Sequence, residues 1–295
     1  MKRLICSLCF FLIAVTPIFS QQATIVFQDN FDNYQNGSDG APIWTITKGL
    51  WQIEDGRFVQ KTGEYDCGAM LSFFIDYSFE LAVDFRVKEG EPGAGFFFHS
   101  EDYRATDFSH MSRFESNKTM LIGHFMQAGY ECTHSARFPE QDFSKWRRLI
   151  LRVDQDQRNY TIWLDSQIIA RDEPILFPAG YCGIQSSGGI IEFDNVVLKR
   201  LPMKNRPVVL SWLRQFVINE KNELIIPHKA RGLVQIVDRI GKLIATIGSP
   251  RIQKGQFEHP TSIAQLSNGD LVIGDEGLHR IVVFDKNGLW KKSAG

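Results

Sequence analysis

Apolar and polar residues alternate with a period of two along much of this chain, the mark of half-buried β-strands. Phe79, Leu81, Val83, Phe85 and Val87 alternate with Glu80, Ala82, Asp84 and Arg86. Leu149, Leu151 and Val153 alternate with Ile150 and Arg152, and Tyr160, Ile162 and Leu164 with Thr161, Trp163 and Asp165. The polar residues 154–159 between these two runs predict a hairpin loop, and Asp165-Ser166 a second tight turn. Residues 93–99 predict a short strand. Three consecutive phenylalanines there, Phe96, Phe97 and Phe98, cannot all face one side, so both faces of that strand must be covered. Few segments show helical periodicity.

Many short strands separated by Gly, Asp, Asn and Pro turns predict an all-β fold. Residues 24–201 suit a jelly-roll β-sandwich of two packed sheets. The ends of that span look alike: Val26-Phe-Gln-Asp-Asn-Phe-Asp32 opens it and Ile191-Glu-Phe-Asp-Asn-Val-Val-Leu198 closes it. The first and last strands are therefore expected to pair, bringing the ends of the domain together. Residues 202–207 read as a linker. Beyond it, Leu224 to Gly241 aligns without a gap on Leu271 to Gly288, a constant offset of 47 residues. A repeat of that size with strand-turn-strand content signals a β-propeller blade. Residues 208–295 hold about two such repeats, where propellers close with roughly 4–8 blades, so a truncated, partial propeller is expected.

Composition narrows the classes. The 295 residues are 43% hydrophobic and 23% charged, a globular balance. Lys2 and Arg3, an apolar run from Leu4 to Val15, and small Ser20 form a secretory signal peptide at residues 1–20. Its apolar run is short for a membrane span of about 20 residues. Removal of residues 1–20 moves the net charge from −1 to −3, which gives no footprint for nucleic acid or an anionic membrane. The expected location is extracytoplasmic: secreted, periplasmic or on the cell surface. Cys67, Cys132 and Cys182 remain after cleavage. Export permits a disulfide, but three cysteines allow one pair at most, the pairing stays open, and their spacing matches no zinc pattern.

Two resemblances follow from motifs in order. Phe27-x-Asp29-x-Phe31-Asp32, Trp44, Trp51-x-Ile53-x-x-Gly56, Trp146-Arg-Arg-Leu149, the turn at Asp165, Gly180-x-x-Gly183-Ile184 and Phe193-Asp-Asn-Val196 resemble the concanavalin-A-like lectin/glucanase superfamily, in its laminin-G-like and glycoside-hydrolase-16-like branches. Gly255-x-Phe257-x-x-Pro260, Gly269-Asp-Leu-Val-Ile273, Gly274-Asp275, His279 to Asp285 and Gly288 resemble an NHL repeat, from which the first copy departs by carrying Pro227-His228 in place of Gly274-Asp275. The first resemblance implies that Trp44, Trp51, Trp146 and Trp163 pack the core. It also implies a structural calcium ion, with Asp29, Asp32 and Asp194 as ligands because the terminal strands should adjoin.

Glycoside hydrolysis needs two carboxylates flanking the scissile bond. Glu80 and Asp84 share a strand face, but no third acid completes the family-16 pattern; Glu64, Asp66 and Glu131 offer no better pair. His99, His110, His124 and His134 make no close ligand pair. Sugar binding needs aromatic faces and polar neighbours, and Tyr103, His110, His124, Tyr130 and His134 lie in the segment expected to form the concave sheet and its loops. The sequence thus points to an exported, non-catalytic binding protein that recognises glycan or a cell-surface protein. The alternatives are a carbohydrate-active hydrolase with an atypical acid pair, and a protein-binding scaffold.

Overall fold

The computed structural model describes residues 22–104, 108–126, 129–203, 215–229, 231–239, 243–248 and 255–295. The segment expected to be a signal peptide, residues 1–20, and most of the expected linker lie outside the described residues. Among the described residues there is no helix, and so none long and apolar enough to cross a membrane.

Fifteen strands build the first part of the chain. They are β1 (Thr24–Asp29), β2 (Trp44–Lys48), β3 (Trp51–Glu54), β4 (Arg57–Gln60), β5 (Cys67–Leu71), β6 (Phe79–Gly90), β7 (Gly95–Ser100) and β8 (Ser109–Ser116). There follow β9 (Thr119–Met126), β10 (Gly129–Arg137), β11 (Arg147–Asp154), β12 (Asn159–Leu164), β13 (Gln167–Pro174), β14 (Tyr181–Ser186) and β15 (Gly189–Arg200). Sheet A runs in the order β13-β12-β11-β6-β15-β4-β3, and sheet B in the order β10-β9-β8-β7-β14-β5-β2.

The alternation read from the sequence becomes the layer between the two sheets. Phe79, Leu81, Val83 and Phe85 of β6 and Leu149, Leu151 and Val153 of β11 meet Phe96 and Phe98 of β7, Phe114 of β8 and Cys182 and Ile184 of β14 in one buried cluster. Each large apolar side chain so buried contributes about 1.5–3 kcal/mol. Phe97 points the other way and is also buried, so both faces of β7 are covered, as three consecutive phenylalanines require.

The terminal strands do pair. β1 runs antiparallel to the second half of β15, with Thr24 opposite Arg200 and Asp29 opposite Val196. The first half of β15 pairs with β4, and β6 lies along its other side. The Phe193-Asp-Asn-Val196 motif marks a bulge between Asp194 and Val197, with Asn195 at φ 48°. Asparagine tolerates that left-handed backbone better than most residues. The hairpin loop forms as the sequence predicts, with Asp154 opposite Asn159.

Two expectations need correction. Trp44 and Trp51 are core residues, but Trp146 and Trp163 are not. Trp146 is 37% exposed and lies between the guanidinium groups of Arg86, 4.8 Å from its ring centroid, and Arg57, 6.0 Å away. Trp163 lies beside Arg152 on the outer face of sheet A. Alternation fixes this: Ile162 and Leu164 face the core, so Trp163 cannot. All three cysteines are free: Cys67 and Cys182 are buried and Cys132 is exposed.

The later strands are β16 (Val217–Ile218), β17 (Leu224–His228), β18 (Leu233–Val237), β19 (Leu243–Ile247), β20 (Pro260–Gln265), β21 (Leu271–Asp275), β22 (Arg280–Phe284) and β23 (Trp290–Ala294). They form two four-stranded antiparallel sheets, C (β16–β19) and D (β20–β23). The 47-residue offset reappears strand for strand, with β17, β18 and β19 matched by β21, β22 and β23. Ile225, Val234 and Ile247 of sheet C share one core with Phe257, Ile263, Leu271, Ile273, Val282 and Phe284.

Candidate functional site

The outer face of sheet B gathers the side chains best suited to bind a ligand. Its middle row holds Met70, Phe97 and Met111, buried with Tyr181 and packed against Phe74, Tyr103, Phe125 and Tyr130. The next row is polar. Gln185 of β14 stands between two glycines, opposite Gly68 on β5 and Gly95 on β7, and Arg113 of β8 is the next side chain beyond Gly95. Gly95 is required, because a Cβ there would lie 1.8 Å from the Ser112 carbonyl oxygen; one at Gly68 would crowd Thr47 Oγ1 at 2.5 Å and the Phe97 ring at 3.1 Å. Gly95, with no side chain, lies between Gln185 and Arg113 in the register of the sheet.

Turns at the end of the sheet complete the cluster. Arg113 Nη1 hydrogen-bonds Ser187 Oγ and stands 3.4 Å from Asp66 Oδ1. Tyr65 is 53% exposed, with the Arg113 guanidinium 5.9 Å from its ring centroid. Its hydroxyl donates to Glu91 over 3.3 Å, and Lys48 Nζ donates to its carbonyl oxygen over 2.7 Å. Both amide atoms of the fully buried Gln185, together with Arg113 Nε and Asp66 Oδ1, have no hydrogen-bond partner within the chain. A buried polar group left unpaired costs about 1–3 kcal/mol, and native structures keep few of them. A cluster of them at one place is therefore a mark of binding chemistry. Sequence reading missed Tyr65, Arg113 and Gln185. Tyr65 lies one residue from Asp66, which it did single out, but nothing local shows that β8 and β14 bring Arg113 and Gln185 to the same strip.

The five residues singled out for sugar contact do not form one group: Tyr103 and Tyr130 flank one apolar cluster, and His110 and His124 stand opposite each other on β8 and β9. Tyr103 packs against Tyr181, and Tyr130 against Phe125, both on the outer face of sheet B. Burial pushes the Tyr130 hydroxyl well above its ordinary range. His110 lies between the sheets, stacked on Phe98 at 4.8 Å, and its Nε2 accepts the backbone N–H groups of Leu176 and Phe177. His124 packs edge-on against Phe177 and pairs with Glu131 at 3.2 Å. His134 pairs with Glu173 of β13 at 3.2 Å. These histidines tie strands and the 175–178 segment together.

The acids weighed for hydrolysis lie elsewhere or are engaged. Glu80 and Asp84 are on the outer face of sheet A. Glu80 accepts Arg152 at 2.6 Å and Lys199 at 2.9 Å; although burial works to raise its pKa, these two cations hold the carboxyl below the ordinary range. Asp84 accepts Arg148 at 2.7 Å and Asn195 at 3.0 Å.

The calcium ligand set implied by the resemblance does not fit this chain. Asp29 Oδ1 accepts Phe31 N–H at 2.9 Å, and its Oδ2 accepts the Tyr34 hydroxyl at 2.8 Å and Trp44 Nε1–H at 2.9 Å. Asp32 accepts the Asn30 amide, and Asp194 the backbone N–H of Asn195. Burial and the nearby Asp84 and Asp32 carboxylates push the Asp194 carboxyl up. Among the described residues no three His, Cys, Asp or Glu side chains gather as a metal-binding group. Asp29 instead locks the β1 end to Trp44. Asp29→Ala is expected to cost about 1–3 kcal/mol by leaving the buried indole N–H unpaired, while a chelator leaves the wild-type melting temperature unchanged. Scanning calorimetry with and without chelator checks both.

No family model and no curated protein matches this chain. It is similar to several solved structures. A carbohydrate-binding module from Bacillus subtilis is 19% identical with a TM-score of 0.47, over 53% of this chain and 95% of that one. A Bacillus subtilis protein of unknown function with a galectin-like fold is 11% identical with a TM-score of 0.46, over 62% of this chain and 99% of that one. An endo-β-1,3-glucanase from Pyrococcus furiosus is 10% identical with a TM-score of 0.45, over 60% of this chain and 94% of that one. At such distances the function has to be argued from the chain's own site.

Proposed function

We propose that this is a non-catalytic glycan-binding protein working outside the cytoplasm, and that it binds on the outer face of sheet B around Tyr65, Asp66, Arg113 and Gln185. Residues 24–201 form the binding unit, and residues 208–295 form two propeller-like blades. The observation that carries the reading is the polar strip: a fully buried Gln185 with both amide atoms unused, across a glycine from Arg113. Sugar hydroxyls both donate and accept hydrogen bonds, and a neighbouring amide, carboxylate and guanidinium answer them in both directions. The exposed Tyr65 ring supplies the flat apolar surface on which a pyranose ring stacks. Tyr103 and Tyr130 extend the same face. A hydrolase is less well supported, because Asp66 is ion-paired to Arg113 and Glu91 accepts the Tyr65 hydroxyl.

The test is a glycan panel probed with the wild type and with Tyr65→Ala and Arg113→Ala, alongside an assay for released reducing ends. Binding without turnover is expected, weakened at least tenfold by either substitution, with thermal unfolding little changed for Tyr65→Ala. Release of reducing ends would move the protein to the hydrolases. Silence on every glycan, with a protein recovered by pull-down, would make it a scaffold.

A further inference from the structure

The first copy of the repeat departs from the second at its hairpin tip, and the departures have a place in the structure. In the second copy Asp275 is buried, and its carboxylate accepts the backbone N–H groups of Glu258 at 3.1 Å and His259 at 2.8 Å. The equivalent residue in the first copy is His228. Equivalent positions further along the tip carry Lys229 in the first copy and Glu276 in the second, and these two pair with each other at 3.4 Å. Where the second copy has Leu278 the first has Arg231. Arg231 Nη2 donates to Asp76 Oδ2, on the segment between β5 and β6, at 2.6 Å, and its guanidinium lies 5.5 Å from the Phe74 ring centroid.

A second set of contacts runs the opposite way. Arg104, just after β7, donates to Glu258 at 2.9 Å and contacts the His259 ring at 2.9 Å, while Asp102 stands 3.6 Å from His259. Glu258 and His259 are the two residues whose backbone Asp275 holds. Between the two ion-pair clusters runs an aromatic ladder on the sandwich. Phe74 meets Tyr181 at 5.6 Å, and Tyr181 meets Tyr103 at 5.1 Å. Arg231 caps one end of the ladder, and Arg104 caps the other at 5.5 Å from Tyr103. The two arginines thus come from opposite partners, each paired to an acid across the joint. That reciprocity fixes orientation as well as position, because a slip of one residue would break both pairs.

We propose that the hairpin tip of sheet C is a docking element that locks sheets C and D onto the sandwich, so that both parts of the chain act as one rigid body bordering the outer face of sheet B. Arg231 is the residue of the first copy's tip given over to this joint, while Lys229 ties the same tip to sheet D through Glu276. The inference stands whether or not that face binds glycan, since its test involves no ligand.

The test follows unfolding of the full chain by calorimetry, and hydrogen exchange in β17, β18, β21 and β22. The wild type is expected to unfold in a single transition. Asp76→Ala and Arg231→Ala each lower the transition of the small sheets by roughly 3–8 °C and speed exchange there. The double variant falls no further than either single one, and the charge swap of Asp76→Arg with Arg231→Asp recovers part of the loss. Arg104→Glu separates the two parts by the other cluster and gives the same exchange signature. Separate wild-type transitions, or single-variant losses that simply add in the double variant, would overturn the docking role.

Discussion

Lowering the pH from 7 to 4 is expected to cost the sandwich about 3 kcal/mol through His99 alone. His99 is fully buried, and its Nδ1–H donates to the Phe177 carbonyl oxygen at 2.5 Å. Its Nε2 accepts the Gln155 side-chain amide at 3.3 Å, and that amide also donates to Pro178. The neutral ring is thus satisfied at both nitrogens. A second proton would face an N–H donor with no acceptor in reach. Burial accordingly pushes the His99 pKa down to about 4. The sign follows from linkage. The unfolded chain takes up the proton near 6.5 and the folded chain only near 4, so stability falls as the pH drops through that window and levels off below it. His110 adds to the effect. Burial, with the nearby His99 and His124, holds its pKa well below the ordinary value, and protonation would cost the two backbone hydrogen bonds that its Nε2 accepts. Urea unfolding at pH 7 and pH 4 measures the loss. His99→Asn is the control, because His99 sits at φ 54°, which asparagine tolerates. The loss between pH 7 and 4 should shrink by about 3 kcal/mol in that variant. An unchanged loss would mean that acid acts elsewhere, as on the Glu80 ion pairs.

Phe98→Ala is expected to destabilise the protein by about 3–5 kcal/mol, whereas Trp146→Ala costs about 1 kcal/mol or less. Phe98 is fully buried between the sheets, with His110 stacked at 4.8 Å and Tyr160 edge-on at 4.8 Å. Its removal opens a cavity bounded on two sides by rings that cannot collapse into it. Trp146 is the larger side chain, yet it lies on the outer face of sheet A beside two guanidinium groups and loses mainly surface contacts. Denaturant midpoints of the two variants compare them directly. Equal losses would mean that the inward and outward faces have been assigned wrongly.

These two residues show how far the sequence could be read. Phe98 lies in a run where alternation and three consecutive aromatics leave no choice but two covered faces. Trp146 lies just before its strand, at β11's edge, where a family pattern suggested core and the register put it outside. Asp29 shows the same limit. Its type and its nearness to the closing strand suggested a metal ligand, and only the folded chain shows its oxygens taken by Phe31, Tyr34 and Trp44.

The chain's periodicity and turn residues by themselves determined the all-β class, the pairing of its first and last strands and the 47-residue repeat. Each of those follows from local alternation or from self-similarity along the chain. The tertiary structure alone decided that Gln185, Arg113 and Asp66 share one strip, and that Arg231 and Arg104 reach across to acids 155 and 154 residues away. Such contacts depend on the order, register and bulges of the strands between those ends, which alternation along the chain does not encode.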